Sequence, residues 1–442
     1  MLNKHTDVLF SVIIPLYNAE KYLNKCLNSI LSQNTSKLEI ILINDCSNDQ
    51  SKKICNSFKR KIKIIKVFNN SKRLGVSVSR NKGIREARGN FLIFLDSDDF
   101  LLKDCINDLR KLVEKNADTD LILAQKFVAL SRPNTFTVHN VFKTKLLNKK
   151  NYGQIINGLC KETRIYGNIY NYIINRNFLI KKKIYFTPNI SYGEDREFVV
   201  KILCFCKKFC FYKKSFYCFC SGSGNLSNAM SFNIALSCLK VVNNLSILIK
   251  SNFLSKNKKL LIKNSIRQVL NEFIPRLIYL EENKILKLSK YIRNEHKNFN
   301  LVKFAFLGIE ISNTLKKYGY YKGLILYRLA LTRKILTIIK RKTFNKIYVF
   351  CSNYYAIATA KILLENGYCV EGILDNNKVV FGKKILGLQI YSPYFLRTKS
   401  IKYKSSILVL ITNQFKNNIK KITDQLMTIG IKKKQIVYKI FE

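Results

Sequence analysis

Asn90-Phe-Leu-Ile-Phe-Leu-Asp-Ser-Asp-Asp99 is the stretch of this 442-residue chain that decides the fold. Its apolar run, 91–95, predicts a buried strand, and the run ends in Asp96, Asp98 and Asp99. Crowded carboxylates repel one another and stay ionised together only beside a cation. Oxygen ligands at this density suit Mg²⁺ or Mn²⁺, which typically keeps open positions for phosphate oxygens. The alternative is a solvated turn whose acids cap a helix.

These acids stand out because the chain is strongly basic. Lys and Arg number 78 and Asp and Glu 28, which gives a formal net charge of +50. Such a charge favours an acidic partner: nucleic acid, an anionic membrane surface or a phosphate-bearing substrate. An AT-rich genome would also enrich Lys without any function. The hydrophobic content of 47% is enough for two or three domains with real cores and argues against a disordered chain.

Cysteine usage and the polar start of the chain indicate the reducing cytosol. The 13 Cys are odd in number and scattered, which favours small buried hydrophobes over disulfides. The densest group, within 204–220, lacks paired C-x-x-C spacing and a nearby His, which disfavours zinc. Residues 1–7 are polar, and 9–16 is too short to be the apolar part of a signal peptide.

Membrane association is predicted without a membrane span. No stretch reaches the roughly 20 uncharged apolar residues of a spanning helix. Residues 323–339 predict a helix with apolar and basic positions. It either lies on anionic lipid or packs on its own domain with a solvated basic face.

Residues 9–128 alternate strands and helices, which predicts a mostly parallel, two-sided sheet. Strands are predicted at 9–14, 38–43, 62–68 and 91–95, and helices at 19–32 and 76–88. Ligands of such sheets bind at the carboxyl ends of the strands. The polar clusters 15–20, 44–49 and 96–99 all follow strands. We therefore expect them to meet at one edge of the sheet.

Composition divides the rest of the chain. Mixed structure is predicted up to residue 230 and includes a second acidic spot, Tyr192-Gly-Glu-Asp-Arg-Glu-Phe198, at a helix start. Residues 231–342 are basic, nearly free of Pro and Gly, and predicted to be helical. An α/β pattern resumes after 344. We predict three domains: 1–230, 231–342 and 343–442.

Five motifs in order resemble the family 2 glycosyltransferases of the GT-A, nucleotide-diphospho-sugar-binding fold. They are Ser11–Asn18 (SVIIPLYN), Glu39–Asp49 (EIILINDCSND), Gly75–Ile84 (GVSVSRNKGI), Phe94–Asp99 (FLDSDD, the D-x-D) and Ser191–Phe198 (SYGEDREF). The resemblance spans about residues 9–230. It implies a metal-dependent, inverting transfer of a sugar from a nucleotide-diphospho-sugar to a hydroxyl of a lipid-linked or membrane-presented glycan. The setting it implies is lipopolysaccharide, capsule or glycoprotein-glycan assembly, in the cytoplasm at the inner face of a bacterial plasma membrane.

The resemblance also implies residue roles at the donor. Those that line the nucleotide pocket are Pro15, Tyr17, Asn18 and Glu20. Asp45 accepts a hydrogen bond from the base, while Asn44 replaces an acid that the family usually carries. Arg80 either faces the pyrophosphate or holds a loop with an ion pair. Asp96 and Asp98 bind ribose and a divalent cation, Mg²⁺ or Mn²⁺, and Asp98 is the better ligand candidate.

The catalytic base implied by the resemblance is Asp195. A cation on the diphosphate stabilises the charge of the leaving group, and a base on the opposite face of the sugar activates the incoming hydroxyl. Glu194 is the rival, because sequence does not say which side chain of the pair faces the acceptor. The acids also suit an ordinary helix N-terminus. The segment 217–227 lacks an Arg that related enzymes often carry, so a Lys of the central region is expected to replace that diphosphate clamp.

The C-terminal segment resembles the Rossmann-type domain of sugar-modifying proteins. Where intact versions have a glycine-rich turn, this chain has Cys351, Asn353 and Tyr354. Their side chains would block close approach of backbone to a pyrophosphate. We therefore expect a nucleotide-free relic used for docking or homo-oligomerisation, although Asp375 leaves residual nucleotide binding open.

Two other functions were compared with glycosyl transfer. A nucleotidyltransferase should have a glycine-rich loop with a basic residue near the first strand, and Pro15-Leu-Tyr-Asn18 is not one. A basic nucleic-acid-binding protein without catalysis should carry a known reader motif, and none is found. Acids on a phosphate-binding face would also oppose binding. We therefore expect no nucleic-acid partner.

Overall fold

A computed structural model gives the structure of the chain. It describes residues 8–131, 135–140, 168–220, 231–295, 329, 332–340, 344–351, 354–412 and 416–438. The chain divides into two compact units, residues 1–226 with 240–269, and residues 227–239 with 270–442. The predicted α/β class is confirmed by mostly parallel sheets in both units. The three-domain boundaries stay a prediction.

The first unit is built on a seven-stranded sheet and a smaller four-stranded one. The strands are β1 (Phe10–Leu16), β2 (Leu38–Asn44), β3 (Ile65–Asn69), β4 (Phe91–Phe94), β5 (Phe100–Leu101), β6 (Leu121–Ala124), β7 (Lys126–Ser131), β8 (Thr135–Asn140), β9 (Tyr172–Asn175), β10 (Phe209–Tyr212) and β11 (Tyr217–Cys220). The large sheet has the order β10-β6-β9-β4-β1-β2-β3 and the small one β5-β11-β7-β8. Only β9 runs antiparallel to its neighbours in the large sheet.

Helices cover the large sheet, and their apolar faces complete its core. They are α1 (Leu23–Leu31), α2 (Ser51–Lys61), α3 (Val76–Glu86), α4 (Cys105–Lys115), α5 (Arg176–Lys181) and α6 (Glu194–Phe205), and α7 (Phe232–Leu248) and α8 (Lys256–Tyr279) follow in the chain. Every residue of β1 and β2 is buried, as expected of central parallel strands with both faces covered. α1 buries Leu23, Cys26, Leu27 and Ile30, which lie on one helical face.

Two predicted element boundaries differ from the structure by three or four residues, because turns intervene. The helix predicted from residue 19 begins at Leu23, since Tyr22 and Leu23 first close a turn onto the Ala19 carbonyl. The strand predicted from residue 62 begins at Ile65, because Ile62 is the C-cap of α2 and its backbone N–H donates to the Phe58 carbonyl. The carboxyl ends of β1, β2 and β4 remain at one edge.

The second unit contains a six-stranded sheet of order β14-β15-β13-β12-β16-β17. Its elements are α9 (Glu282–Glu295), β12 (Lys346–Phe350), α10 (Tyr354–Glu365), β13 (Val370–Leu374), β14 (Lys384–Ile385), β15 (Leu388–Tyr391), α11 (Ile401–Ser405), β16 (Ile407–Ile411), α12 (Lys416–Thr428) and β17 (Ile436–Val437). All strands are parallel except the edge strand β14. This is the doubly wound, Rossmann-like arrangement predicted for the C-terminal segment.

The turn after β12 departs from a glycine-rich one. Cys351 has a φ of 84°, a backbone region that glycine adopts most easily. Asp375 follows β13, and its carboxylate accepts from the Asn377 N–H at 2.8 Å. Asn353 and the side chain of Tyr354 lie outside the described residues. The predicted loss of nucleotide binding here stays a prediction.

The basic segment 323–339 is described only in part. Residues 332–340 are helical, and within them Ile335 and Ile339 are 1% and 3% exposed. Their side chains therefore pack inside the protein, which favours the packed helix over a lipid-facing one. Among the described helices none is long and apolar enough to cross a membrane. The cysteines of the described ranges form no disulfide bonds with one another, and most of them are buried.

A buried glutamate joins the strands at the start of the large sheet. Glu39 is 4% exposed and accepts from Ser11 Oγ, Lys66 Nζ and the Arg88 N–H, each at 2.6 Å. Burial opposes the ionisation of Glu39, but the hydrogen bonds from Lys66 and Ser11 outweigh it and hold its pKa below the ordinary value. One carboxylate thus connects β1, β3 and the turn before β4.

Replacing this carboxylate should destabilise the first unit in a pH-dependent way. We expect Glu39→Gln to lower the free energy of unfolding at neutral pH by on the order of 2 kcal/mol, because it weakens charge-assisted hydrogen bonds. Because the pKa of Glu39 is lowered in the folded state, its ionised carboxylate stabilises the fold at pH values above its unfolded-state pKa. That stabilisation is lost as the pH falls through the folded-state pKa. Urea unfolding should therefore show the difference shrinking in acid. Exposed Glu86→Gln is the control, and equal stability of both variants at neutral pH would contradict the account.

Candidate active site

A buried guanidinium lies at the centre of the candidate acids. Arg80, on α3, is 3% exposed. Its Nη1 lies 2.5 Å from Asp195 Oδ1 and 3.3 Å from Glu194 Oε1, and its Nη2 lies 2.8 Å from Asp96 Oδ1. Arg80 therefore forms ion pairs with all three acids, and its expected contact with the pyrophosphate stays a prediction. It brings the turn after β4 and the start of α6 to one point.

Local packing fixes where α3 presents Arg80. Gly83 lies directly on β1, where an added Cβ would stand 2.3 Å from Ile13 Cγ2. Asn81 is tied in both directions to the Phe186 backbone, with Nδ2 donating at 2.8 Å and Oδ1 accepting at 2.9 Å. The Phe186 ring also lies 5.2 Å from the Arg80 guanidinium carbon. The helix therefore has little freedom to move Arg80 away from the acids.

Burial and charge act against each other on the acidic pair. Burial raises the pKa of Asp195 to about 8, although the Arg80 guanidinium pulls it down. Burial also raises the pKa of Glu194, again against Arg80. Burial opposes the charge of Arg80, but Asp195, Asp96 and Glu194 outweigh it and raise its pKa. A carboxylate with a pKa near neutrality is suited to general base catalysis.

The third acid of the turn, Asp99, has a separate task. It is 2% exposed, accepts from the Tyr217 hydroxyl at 2.5 Å and from the Cys220 N–H at 2.7 Å, and so holds the turn against β11. Burial raises its pKa to about 9, and the nearby Asp96 and Asp98 add to the shift. The Tyr217 hydroxyl in turn accepts from the Asp96 N–H at 3.3 Å.

The acids fit a cation that is shared with a ligand. Among the described residues no group of three or more His, Cys, Asp or Glu is arranged to hold a metal by itself. Asp99 uses both oxygens on β11, and one oxygen of Asp96 contacts Arg80. Asp98 and Asp96 remain the candidate ligands, and Mg²⁺ or Mn²⁺ is commonly held by one or two carboxylates plus substrate phosphates.

Two predicted pocket residues brace neighbouring loops. The Asn18 N–H donates to Ser47 Oγ and its Oδ1 accepts from the Asn48 N–H, both at 3.0 Å. The Glu20 N–H donates to Asp49 at 3.0 Å, and its carboxylate accepts from the Gln50 N–H at 2.9 Å. Asn18 and Glu20 thus fix the loop after β1 on the start of α2.

The other predicted pocket residues differ in exposure. Pro15 is buried within β1, opposite Ile43 of β2, so its side chain offers no exposed surface. Tyr17 is 37% exposed, and the Arg73 guanidinium carbon lies 4.0 Å from the centre of its ring.

Asp45 holds the loop that leads into α3. It is 4% exposed and accepts from Asn70 Nδ2 at 2.8 Å, the Leu74 N–H at 2.9 Å and the Gly75 N–H at 2.7 Å. An ionised carboxylate has about four acceptor positions, so these bonds leave room for one more donor. The anchored loop also sets Arg73 over Tyr17.

Sequence reasoning missed Arg73 and the task of Asp99. The only signal for Arg73 was its place two residues before Gly75, at the start of a family-like motif. Asp99 was counted among the crowded acids, but its pairing with Tyr217 joins segments far apart in the chain. Neither contact leaves a periodic pattern.

Comparison with known proteins finds a family match over residues 11–163, which include Arg80 and Asp96. Residues 11–163 match the family model described as glycosyl transferase family 2. The chain is 28% identical over 190 residues to the uncharacterized glycosyltransferase EpsJ of Bacillus subtilis. It is 40% identical over 113 residues to glycosyltransferase GlyA of Streptococcus pneumoniae. Over 198 residues it is 31% identical to the poly(ribitol-phosphate) beta-N-acetylglucosaminyltransferase TarS of Staphylococcus aureus.

Each of these matches covers only part of this chain and part of the relative. They span 43%, 25% and 43% of this chain and 54%, 16% and 32% of EpsJ, GlyA and TarS, so the chain spans about half or less of those relatives. A crystal structure of TarS in complex with UDP-GlcNAc is similar with a TM-score of 0.49 and 21% identity, over 73% of this chain and 90% of that one.

Removing the positive charge of Arg80 should destabilise the protein most at neutral to alkaline pH. We expect Arg80→Gln to lower the free energy of unfolding at neutral pH by about 3 kcal/mol, because buried carboxylates lose their partner. Asp195 and Glu194 already have raised pKa values, and the variant should raise them further. Raised acid pKa values favour folding at lower pH, so acidification should recover part of the loss.

Urea unfolding at mildly acidic and neutral pH measures this effect. Arg85→Gln, exposed on the same helix, is the matched control. A loss for Arg80→Gln that is equal at both pH values, or no loss relative to the control, would contradict the ion-pair account.

Proposed function

We propose that the protein transfers a sugar from a nucleotide-diphospho-sugar to a hydroxyl of a bacterial cell-surface glycan, because residues 11–163 of this chain belong to glycosyl transferase family 2. The observation that carries the proposal is the cluster in which Arg80 joins Asp96, Glu194 and Asp195. It lies at the carboxyl edge of a mostly parallel sheet, where ligands of such sheets bind.

The donor is proposed to lie across this edge. Tyr17 and Arg73 face the nucleoside, and the remaining acceptor position of Asp45 takes a donor from the base. Asp96 and Asp98 hold a divalent cation, Mg²⁺ or Mn²⁺, with Asp96 also near the ribose. When bound, the cation supplies Lewis-acid stabilisation of the departing diphosphate.

Asp195 is proposed as the base that takes the proton of the acceptor hydroxyl. Its side chain is 23% exposed, more than the 14% of Glu194, so it has the better access to an acceptor. Arg80 acts as a positioning residue that fixes the carboxylate by an ion pair. Attack from the face opposite the diphosphate gives a single, inverting displacement, in which the C–O bond to the acceptor forms as the bond to phosphate breaks.

The acceptor is proposed to be a surface polymer assembled on a lipid carrier at the inner face of the plasma membrane. Support comes from similar proteins, which include TarS and a minor teichoic acid biosynthesis protein, GgaB, of Bacillus subtilis. The donor sugar is a hexose or an N-acetylhexosamine. A phosphate-bearing acceptor and an anionic membrane both suit a net charge of +50. The C-terminal unit is assigned to docking or homo-oligomerisation.

Donor turnover should depend on Asp98. In a screen of UDP-, GDP- and dTDP-sugars with Mg²⁺ or Mn²⁺, we expect hydrolysis or transfer with at least one donor. Asp98→Asn should then lose roughly 100-fold or more in turnover, because a neutral amide is a poor cation ligand. Asp104→Asn is the matched control, since Asp104 is exposed and its φ of 60° is tolerated by Asn. No turnover with any donor, or equal activity of both variants, would refute the proposal.

The pH profile should report the raised pKa of Asp195. A base acts only when deprotonated, so kcat/KM for transfer should rise with pH and level off near the pKa of about 8. Asp195→Asn should lose roughly 10²- to 10⁴-fold in turnover and abolish this limb. A profile that is flat from mildly acidic to alkaline pH, or a larger loss in Glu194→Gln than in Asp195→Asn, would assign the base elsewhere.

A further inference from the structure

A cationic surface with an exposed apolar residue lies on the second unit. After β15 the chain forms a 3₁₀ turn, Pro393–Thr398, and then α11. Ile401, the first residue of α11, is 87% exposed, and Tyr394 on the 3₁₀ turn is 50% exposed. Among the large apolar side chains of the described residues, Ile401 is the most exposed to water.

A hydrogen bond from a side chain of α11 to the backbone of the 3₁₀ turn joins these two short elements, and cationic side chains lie over aromatic rings of the turn. The Arg397 guanidinium carbon lies 5.0 Å from the centre of the Tyr394 ring, and Lys404 Nζ donates to the Arg397 carbonyl at 3.3 Å. Lys399 Nζ lies 4.4 Å from the ring centre of Phe395. The cations are therefore arranged by the fold around the aromatic side chains.

A second basic run lies beside the first. Gln435 is 1% exposed, and its Nε2 donates to the Lys404 carbonyl at 2.5 Å and to the Ile407 carbonyl at 2.8 Å. This fixes the preceding run, 432–434, against α11. We name the whole the C-terminal basic surface; its cations are Arg397, Lys399, Lys402, Lys404, Lys432, Lys433 and Lys434.

The sequence around this surface is poor in acids. Residues 376–423 contain no Asp or Glu, and between Asp424 and the final Glu442 there is none either. Glu371, on β13, is paired with Lys346 at 3.0 Å. The C-terminal basic surface is thus a concentrated positive patch with an apolar residue beside it.

We propose that the C-terminal basic surface docks the protein on an anionic membrane, with Ile401 in the headgroup–acyl boundary and the cations toward lipid phosphates. Each Lys or Arg near an anionic surface strengthens binding about fivefold. The aliphatic residue favours a lipid surface over nucleic acid, because a membrane offers a continuous apolar layer directly behind its phosphates. The buried Ile335 and Ile339 exclude the described apolar face of the 332–340 helix from this task. The inference goes beyond glycosyl transfer and does not depend on it.

Flotation of the full chain with vesicles tests the inference. We expect binding to phosphatidylcholine vesicles that contain phosphatidylglycerol and none to phosphatidylcholine alone. Arg397→Glu, Lys402→Glu and Lys433→Glu together should weaken binding about 100-fold or more, from three cations at about fivefold each. The matched control reverses three exposed cations elsewhere on the same unit, Lys383, Lys420 and Lys421, with the same change in net charge.

Ile401→Ser separates insertion from charge alone. It leaves the charge unchanged, alters an exposed side chain and should weaken vesicle binding about tenfold. Absence of binding to the anionic vesicles, equal weakening by the two triple variants, or no effect of Ile401→Ser would overturn the inference. The inference would also be overturned if the protein shifted the mobility of RNA, the triple variant of the basic surface abolished that shift, and Ile401→Ser left it unchanged. Donor hydrolysis by each variant stays at the wild-type level, so failure of docking is distinct from failure of the proposed function.

Discussion

The buried guanidinium of Arg80 is the interaction on which the candidate site depends. Burying one unpaired charge is costly, and three carboxylates at one point would repel one another without a cation. Arg80 offsets both costs, because its fork contacts Asp96 on one side and Glu194 with Asp195 on the other. The sheet edge and the start of α6 are thereby fixed relative to each other before any donor or metal binds.

Much of the fold was predictable because it rests on local patterns. The apolar runs of β1, β2 and β4 and the helical spacing of α1 are visible in the sequence, and parallel pairing brings their carboxyl ends to one edge. The polar clusters that follow those strands could therefore be expected to meet. The doubly wound order of the second unit follows from the same alternation.

The contacts that set each residue's task were not predictable, because they join distant segments without a repeating pattern. In the sequence, Asp45 and Asp99 look like acids that face a ligand. In the structure, Asp45 accepts three hydrogen bonds from the segment before α3, and Asp99 accepts two from β11. The 332–340 helix has an apolar face that would suit lipid or a protein core equally well. Only the burial of Ile335 and Ile339 distinguishes the two.

Anomalous diffraction from a crystal of the full chain with Mn²⁺ and the nucleoside diphosphate of its active donor would locate the cation and the donor together. We expect a manganese peak bonded to Asp98 and to the diphosphate, with the base beside Tyr17 and Asp45 and with Arg80 still paired to Asp195. A manganese peak away from Asp98, or a nucleotide bound at the carboxyl edge of β12 and β13 instead, would contradict it.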